Sequence, residues 1–281
     1  MTARLAILGA LALLAALLAV SDAAAQSRPA VEARKVVGLV APAEILIDRW
    51  GVPHIYARSA RDAFFVQGYN AARDRLWQID LWRKRGLGLL ARDFGPDFAD
   101  QDRAARLFLY RGDMAAEWAA YGASSKSDTE AFVSGINAYV DEILSGRRPL
   151  PREFRIAGTR PDRWRPEDVV RIRSHGLTRN AGMEALRAQI LCKGGPGADR
   201  LFKKLEPAWA SRVPEGLDPC AIPADVLKDY NLATRGVKFD AARRRLAAEA
   251  PPPDSQGSNN WTIAPSRTTT GRAILANDPH R

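Results

Sequence analysis

The chain has 281 residues, with 42 basic residues (Lys and Arg) against 32 acidic ones and a formal net charge of +10. Hydrophobic residues make up 46% of the chain and charged residues 26%, which are ordinary values for a globular protein. This composition excludes a wholly disordered chain, a collagen-like repeat and a multi-pass membrane protein. The length allows one large domain or two smaller ones.

The basic charge does not indicate a nucleic-acid partner. Only eight of the basic residues are Lys, and the Arg residues are scattered along the whole chain. The densest basic cluster, Arg243 to Arg245, lies among alanines without an aromatic platform or a nucleic-acid motif. We therefore predict no nucleic-acid partner.

The N-terminus has the pattern of a secretory signal peptide. Arg4 provides a positive charge, residues 5–20 form an apolar run, and Ala23 to Ala25 supply the small residues of a cleavage site. The apolar run is shorter than the roughly 20 residues that a membrane-spanning helix needs. We therefore predict a signal peptide over residues 1–25, a periplasmic or secreted protein, and no stable membrane anchor.

Cys192 and Cys220 are the two cysteines of the chain, and export makes a disulfide between them plausible. The bridge would close a loop of about 29 residues, worth roughly 3–4 kcal/mol in the loop-entropy picture. Two separate buried thiols are the alternative. Two Cys and three distant His have no metal-ligand spacing.

The first predicted elements are a hairpin and a helix. Two short β-favouring runs, 44–48 and 52–57, flank a turn centred on Gly51. Ser59 and Asp62 have capping-box spacing, which predicts the start of a helical region that extends to Arg85. Within that region apolar residues follow helical spacing and are expected in the core; they are Ala72, Leu76, Ile79 and Trp82, with Trp77 and Leu81 beside them.

The rest of the chain predicts further helices, then a connector and two strands. Helices are expected over Thr129–Ile143, ended by Ser145-Gly146, and near Glu167–Ser174. Residues 235–256 hold few large apolar residues, so we predict a solvated connector. After it, two β-favouring runs flank a turn over Ser266–Gly271. The coarse fold class is α+β, mostly helical with a few strands.

Two separated motifs carry a family resemblance. The first is Ile47-Asp-Arg-Trp-Gly-Val-Pro-His-Ile-Tyr-Ala57, continued by Gln67-Gly-Tyr69 and Ala72-Arg-Asp-Arg-Leu-Trp-Gln78. The second is Gly257-Ser-Asn-Asn-Trp261 with Leu275-Ala-Asn-Asp-Pro-His280. In this order, the motifs resemble the penicillin acylase family of N-terminal-nucleophile amidohydrolases.

The resemblance implies a precursor that cleaves itself between Gly257 and Ser258. Residues 26–234 would then be the α chain, 235–257 an excised spacer, and 258–281 the start of a β chain that the sequence contains only in part. The implied fold is a mostly helical α chain plus the first strands of a four-layer αββα sandwich. An α/β heterodimer would form from one precursor, and the 281-residue chain alone is expected to be inactive.

The chemistry of Ser258 is consistent with that resemblance. A serine hydroxyl is a poor nucleophile until a base accepts its proton. Once Ser258 is a free N-terminus, its own α-amino group, with a reference pKa of about 7.7–8.0, can serve as that base near neutral pH. No upstream Ser/His/Asp set is needed, and cleavage is the activating step.

The resemblance also implies roles for other residues. His280 occupies a position that contacts the nucleophile region, where penicillin G-type members tend to carry Gln; cephalosporin and acyl-homoserine-lactone acylases resemble this chain in having His. Arg179 and Asn180 match residues that line the acyl pocket, and Glu184 matches a ligand of a structural Ca²⁺. No organic cofactor is expected. His54 lies in the first motif, which is structural.

Three functions stay open on the sequence. The first is an exported hydrolase of the side-chain amide of penicillin-like, cephalosporin-like or other small N-acyl substrates. The second is an acyl-homoserine-lactone acylase of the same fold. The third is a non-catalytic, secreted remnant that resembles an α chain.

Overall fold

The computed structural model describes residues 31–172, 181–202, 212–240, 245–248 and 259–278. Contacts divide the chain into a short N-terminal unit, Met1–Val37, and a large unit, Gly38–Arg281. The predicted signal peptide, residues 1–25, lies outside the described residues. Among the residues that are described, no helix is long and apolar enough to cross a bilayer.

The described part of the chain is mostly helical with a few short strands, which confirms the predicted α+β class. Its helices are α1 (Ala60–Leu87), α2 (Leu90–Phe94), α3 (Ala99–Leu107), α4 (Met114–Ala119), α5 (Ser125–Leu144), α6 (Arg152–Ala157), α7 (Pro166–Arg171), α8 (Ala181–Phe202) and α9 (Lys228–Thr234). Its strands form three antiparallel pairs: β1 (Glu44–Ile47) with β2 (Pro53–Tyr56), β3 (Val237–Asp240) with β4 (Arg245–Ala248), and β5 (Asn259–Ile263) with β6 (Ile274–Asp278).

The β1–β2 hairpin confirms the first prediction from the turn signal. Gly51 has a φ of 81°, a left-handed conformation that glycine adopts without steric cost. The carboxylate of Asp48 accepts hydrogen bonds from the backbone N–H groups of Trp50 and Val52, both at 2.9 Å. These bonds fold the side chain of Asp48 over the turn. The hydrogen bond from the N–H of Val52 is the largest cause of the lowered pKa of Asp48.

Helix α1 begins where the capping spacing predicts. Ser59 has extended backbone angles, and its hydroxyl accepts a hydrogen bond from the N–H of Asp62 at 3.0 Å. The buried carboxylate of Asp62 in turn accepts hydrogen bonds from the N–H groups of Val40 and Ala41, at 2.9 and 3.2 Å. One carboxylate therefore joins the start of the helix to the segment that precedes β1.

Helices α1 and α5 pack together at two glycines. A Cβ atom added at Gly68 would lie 1.9 Å from the carbonyl oxygen of Phe132, and one at Gly135 would lie 1.9 Å from that of Phe65. Only a residue without a side chain fits such a contact, so the two glycines set the distance between the helices. The apolar side chains around this contact, including Phe65, Val133, Ile136 and Val140, are buried.

The predicted apolar stripe of α1 is only partly correct. Ala72, Leu76 and Leu81 are buried and Trp77 is partly buried, but Trp82 is 60% exposed. Arg75 has non-helical angles (φ −138°, ψ 34°), so the helix is kinked and the spacing changes phase there. Beyond the kink the buried positions include the charged residues Asp80 and Lys84.

The prediction of a solvated connector over residues 235–256 is wrong for its described part. Residues 237–240 and 245–248 form the β3–β4 hairpin. Leu246 is 5% exposed and belongs to a core cluster with Leu81, Leu90 and Phe98. Few apolar residues are present in this segment, but the strand alternation directs them to one face, which packs on the helices.

Candidate active site

The β5–β6 hairpin is the described element nearest in sequence to the predicted nucleophile. It pairs Asn259 with Asp278 at one end and Ile263 with Ile274 at the other. A short 3₁₀ turn, Pro265–Arg267, follows β5. The hydroxyl of Thr268 then shares its one hydrogen between the carbonyl oxygens of Arg272 and Pro265, which lie 2.8 and 3.1 Å from its oxygen, and this contact ties the loop between the strands.

The predicted catalytic residues flank this hairpin in sequence. Gly257, Ser258 and His280 themselves lie outside the described residues, so their roles stay predictions. Strand β5 begins at the residue directly after Ser258, and β6 ends two residues before His280. Because Asn259 is paired with Asp278, the hairpin brings together the chain segments that lead to the two predicted catalytic residues.

The predicted residues of the acyl pocket, Arg179 and Asn180, also lie outside the described residues. Helix α8 begins directly after them, at Ala181. Glu184 is in the first turn of α8, where a carboxylate is favoured by the helix dipole. Its side chain is 60% exposed, and its Oε1 lies 3.5 Å from Nη1 of Arg187.

Arg187 ties the two parts of α8 together. Its Nε and Nη2 donate hydrogen bonds to the two carboxylate oxygens of Asp199, both at 2.9 Å. These bonds raise the pKa of Arg187. Gly195, with a φ of 67°, breaks the helix between the two residues, and Pro196 restarts it. The bend brings the buried Asp199 back to Arg187.

Helix α8 and residues 212–227 line an apolar cavity of about 420 Å³ that is partly open to solvent. Arg187 and Glu184 lie at its helical side, and Arg212 on the other. The apolar lining residues include Ala188, Leu191, Val213, Leu217, Ile222 and Leu227. This cavity was not predicted from the sequence, although apolar residues recurring between prolines in 213–227 are a signal that the segment packs against a neighbour.

A disulfide joins Cys192 of α8 to Cys220, with the two Cα atoms 4.9 Å apart. Cys192 directly follows Leu191, and Cys220 directly follows Pro219, both of which line the cavity. The bridge therefore fastens the two walls of the cavity to each other. Of the two alternatives that the sequence left open, bridged or separate thiols, the structure has the bridge.

The described residues do not form a calcium site around Glu184. Calcium takes six to eight oxygen ligands, several of them carboxylates. No group of three or more His, Cys, Asp or Glu side chains that could hold a metal ion exists in the described ranges. The charged neighbour of Glu184 there is the cation of Arg187. The calcium ion and the role of Glu184 in holding it stay predictions.

His54 has the structural role expected for the first motif. Its Nε2 lies 3.2 Å from Oδ2 of Asp48, the carboxylate that folds over the β1–β2 turn. The ring is half-exposed, and this bond joins strand β2 to the end of β1. The hairpin therefore uses His54 as a cross-strand partner.

A family model described as penicillin amidase matches residues 42–281. The match includes the first motif, helix α8, and the stretch that contains Gly257, Ser258 and His280. The chain belongs to the penicillin amidase family. This membership confirms the resemblance that the two motifs carry.

Curated relatives of the chain include two kinds of acylase. The chain is 32% identical over 249 residues to a penicillin acylase 2 proenzyme of Pseudomonas sp. (strain SE83), covering 88% of this chain and 31% of that protein. It is 31% identical over 262 residues to the acyl-homoserine lactone acylase QuiP of Pseudomonas aeruginosa, covering 90% of this chain and 29% of that protein. The chain thus spans less than a third of the length of these relatives.

Among solved structures, the chain is similar to a thermostable penicillin G acylase from Alcaligenes faecalis. The identity is 26%, the TM-score is 0.47, and the match covers 65% of this chain and 97% of that chain.

Proposed function

We propose that the protein is an exported amide hydrolase that uses Ser258 as an N-terminal nucleophile after self-cleavage at Gly257-Ser258. The observation that carries the proposal is the family match over residues 42–281, because it spans the predicted cleavage site together with both motifs. A relative named as a proenzyme, 32% identical over 88% of the chain, supports the processing step.

The proposed reaction has two halves. In the first, Oγ of Ser258 attacks the carbonyl carbon of the substrate amide, and its proton passes to the free α-amino group of the same residue. That proton moves on to the amide nitrogen, the C–N bond breaks, and the amine leaves. In the second half a water molecule attacks the acyl ester, releases the carboxylic acid and restores the hydroxyl of Ser258.

Processing and location form the second part of the proposal. The signal peptide directs the precursor to the periplasm or outside the cell, where the cut before Ser258 yields an α chain and a β chain that stay together as a heterodimer. The name proenzyme, printed for the relative from Pseudomonas sp., supports a precursor of this kind. We propose a small N-acyl compound as the substrate.

The substitution Ser258→Ala tests this proposal when the protein is expressed from its own gene. We expect the variant to stay uncut at Gly257-Ser258 and to hydrolyse no amide, because both steps use the hydroxyl. Ser266→Ala is the matched control, since Ser266 is an exposed serine in the turn after β5. Intact-mass measurement and release of amine are the readouts. Normal processing of Ser258→Ala would contradict self-cleavage.

Acyl-homoserine-lactone hydrolysis is the second candidate, favoured by the 31% identity to the QuiP acylase over 90% of the chain. His280 also favours this candidate over an enzyme specific for phenylacetyl amides, because penicillin G-type members of the family tend to carry Gln at that position. Side-by-side hydrolysis of penicillin G, a glutaryl cephalosporin and a long-chain acyl-homoserine lactone separates the candidates. A protein that is neither processed nor active on any of the three would instead be the non-catalytic remnant.

A further inference from the structure

The β3–β4 hairpin has one apolar face. Its register places Phe239 opposite Leu246 and Val237 opposite Ala248. Alternate residues of a strand point to the same side, so Val237 and Phe239 share a face with Leu246. Lys238, between them on β3, is exposed. The hairpin therefore has an inner face and a solvent face, as a strand pair built onto a core does.

The inner face packs on the helical core. Leu246 is 5% exposed and lies in a cluster with Leu81 of α1, Leu90 of α2 and Phe98. The ring of Phe239 packs edge-on against that of Trp77, with the ring centroids 5.5 Å apart. Trp77 makes the same type of contact with Phe94 and Phe154, at 6.1 and 4.9 Å. The hairpin thus completes an aromatic cluster that three helices share.

The segment that leads into the hairpin is also fastened to the core. Helix α9 packs on α3, where the rings of Tyr230 and Phe108 lie 5.7 Å apart. At its end, the buried side chain of Gln101 donates a hydrogen bond to the carbonyl oxygen of Arg235 at 2.9 Å. The chain therefore stays attached to the helices from Lys228 into β3, with no break at residue 234.

We infer that the α chain of the processed protein keeps the β3–β4 hairpin and ends after Ala248. This inference rests on the proposed self-cleavage before Ser258. A cut at residue 234 with loss of the following segment would uncover Leu81, Leu90 and Phe98 and leave Trp77 without one of its ring partners. Any second hydrolysis, which consumes one water per peptide bond, is accordingly confined to the bonds between Ala248 and Ser258.

Mass measurement of the processed protein tests where the α chain ends. The protein is expressed from its own gene, purified without denaturant, and its polypeptides are weighed and sequenced from both ends. We expect an α chain whose last residue lies between 248 and 257. An α chain whose last residue precedes Ala248, in a protein that remains folded, would overturn the inference.

Stability of three variants tests separately whether the hairpin belongs to the core. We expect Leu246→Ala to lower the thermal midpoint by about 5–15 °C, because a buried leucine leaves a cavity. Phe239→Ala should lower it by about 5 °C, and Lys238→Ala, on the same strand but exposed, by no more than about 1 °C. Equal midpoints for all three variants would overturn the inference.

The two measurements distinguish failure of the inference from failure of the proposed function. If no cut occurs before Ser258, the proposed function is wrong, and the thermal midpoints alone decide whether the hairpin is a core element. If the cut occurs but the α chain ends near residue 234, self-cleavage stands and the inference fails.

Discussion

The ammonium group of Lys84 lies 2.7 Å from Oδ2 of Asp80, one turn earlier on α1, and both side chains are buried. The same nitrogen lies 2.6 Å from Oδ2 of Asp93 and donates a hydrogen bond to the carbonyl oxygen of Arg160 at 3.1 Å. Burial raises the pKa of Asp80. Lys84 therefore joins α1, α2 and the segment before α7 through one buried cation.

Replacing Lys84 with Met should strongly destabilise the fold. The variant keeps an unbranched side chain, one atom shorter, but leaves Asp80 without its cation, and an uncompensated buried charge costs about 3–5 kcal/mol. We expect that loss in the free energy of urea unfolding. Lys126→Met is the control: Lys126 is exposed and 4.0 Å from Glu130, so its loss should cost no more than about 0.5 kcal/mol. Adding Asp80→Asn to Lys84→Met should recover part of the loss.

Gly68→Ala should destabilise the contact between α1 and α5. The new Cβ would lie 1.9 Å from the carbonyl oxygen of Phe132, so the helices must move apart. We expect a loss of about 3 kcal/mol or more in the free energy of unfolding, at the upper end of overpacking costs. Gly197→Ala, at a helical position with open space, should change stability by less than about 1 kcal/mol. Similar losses in both variants would contradict the close-packing account.

Local signals in the sequence predict the elements well where a turn or a cap determines them. The glycine turn before β2, the cap at Ser59 and the end of α5 at Ser145 are all confirmed. The charged core around Lys84 could not be predicted, because apolar periodicity excludes charged residues, Asp93 lies on the next helix and Asp162 is distant in sequence.

Average composition was the misleading signal for residues 235–256. Only Val237, Phe239 and Leu246 are large and apolar there, and the average over the segment is that of a linker. Three apolar residues on one face of the hairpin are enough to pack it on an aromatic cluster. The candidate site, in contrast, was predicted from motifs, since Gly257, Ser258 and His280 come from the family pattern. The β5–β6 hairpin between Ser258 and His280 confirms the two predicted strands.

Asp62 should make stability depend on acid pH. The hydrogen bond from the N–H of Val40 holds the pKa of Asp62 below its ordinary value of 3.8. A carboxylate with a lowered folded-state pKa stabilises the fold above pH 3.8, and that contribution is lost as the pH falls through the folded-state pKa. Wild type should therefore exceed Asp62→Asn in unfolding free energy at pH 6, and the difference should shrink at pH 3.

Denaturation curves across this pH range measure the effect of Asp62. The exposed Asp74→Asn variant controls for the loss of one negative charge, and it should stay within about 0.5 kcal/mol of wild type at pH 6. If the difference in unfolding free energy between wild type and Asp62→Asn stays constant from pH 6 to pH 3, the charge of Asp62 does not contribute to stability and the prediction is wrong.

The disulfide between Cys192 and Cys220 should contribute about 3–4 kcal/mol to stability, because it closes a loop of about 29 residues in the unfolded chain. A double variant with Ala at both positions should lose that amount in urea unfolding. Reducing agent should lower the thermal midpoint of wild type towards that of the double variant and leave the double variant unchanged. If the reducing agent lowers the thermal midpoints of both proteins equally, its effect is not due to cleavage of this disulfide.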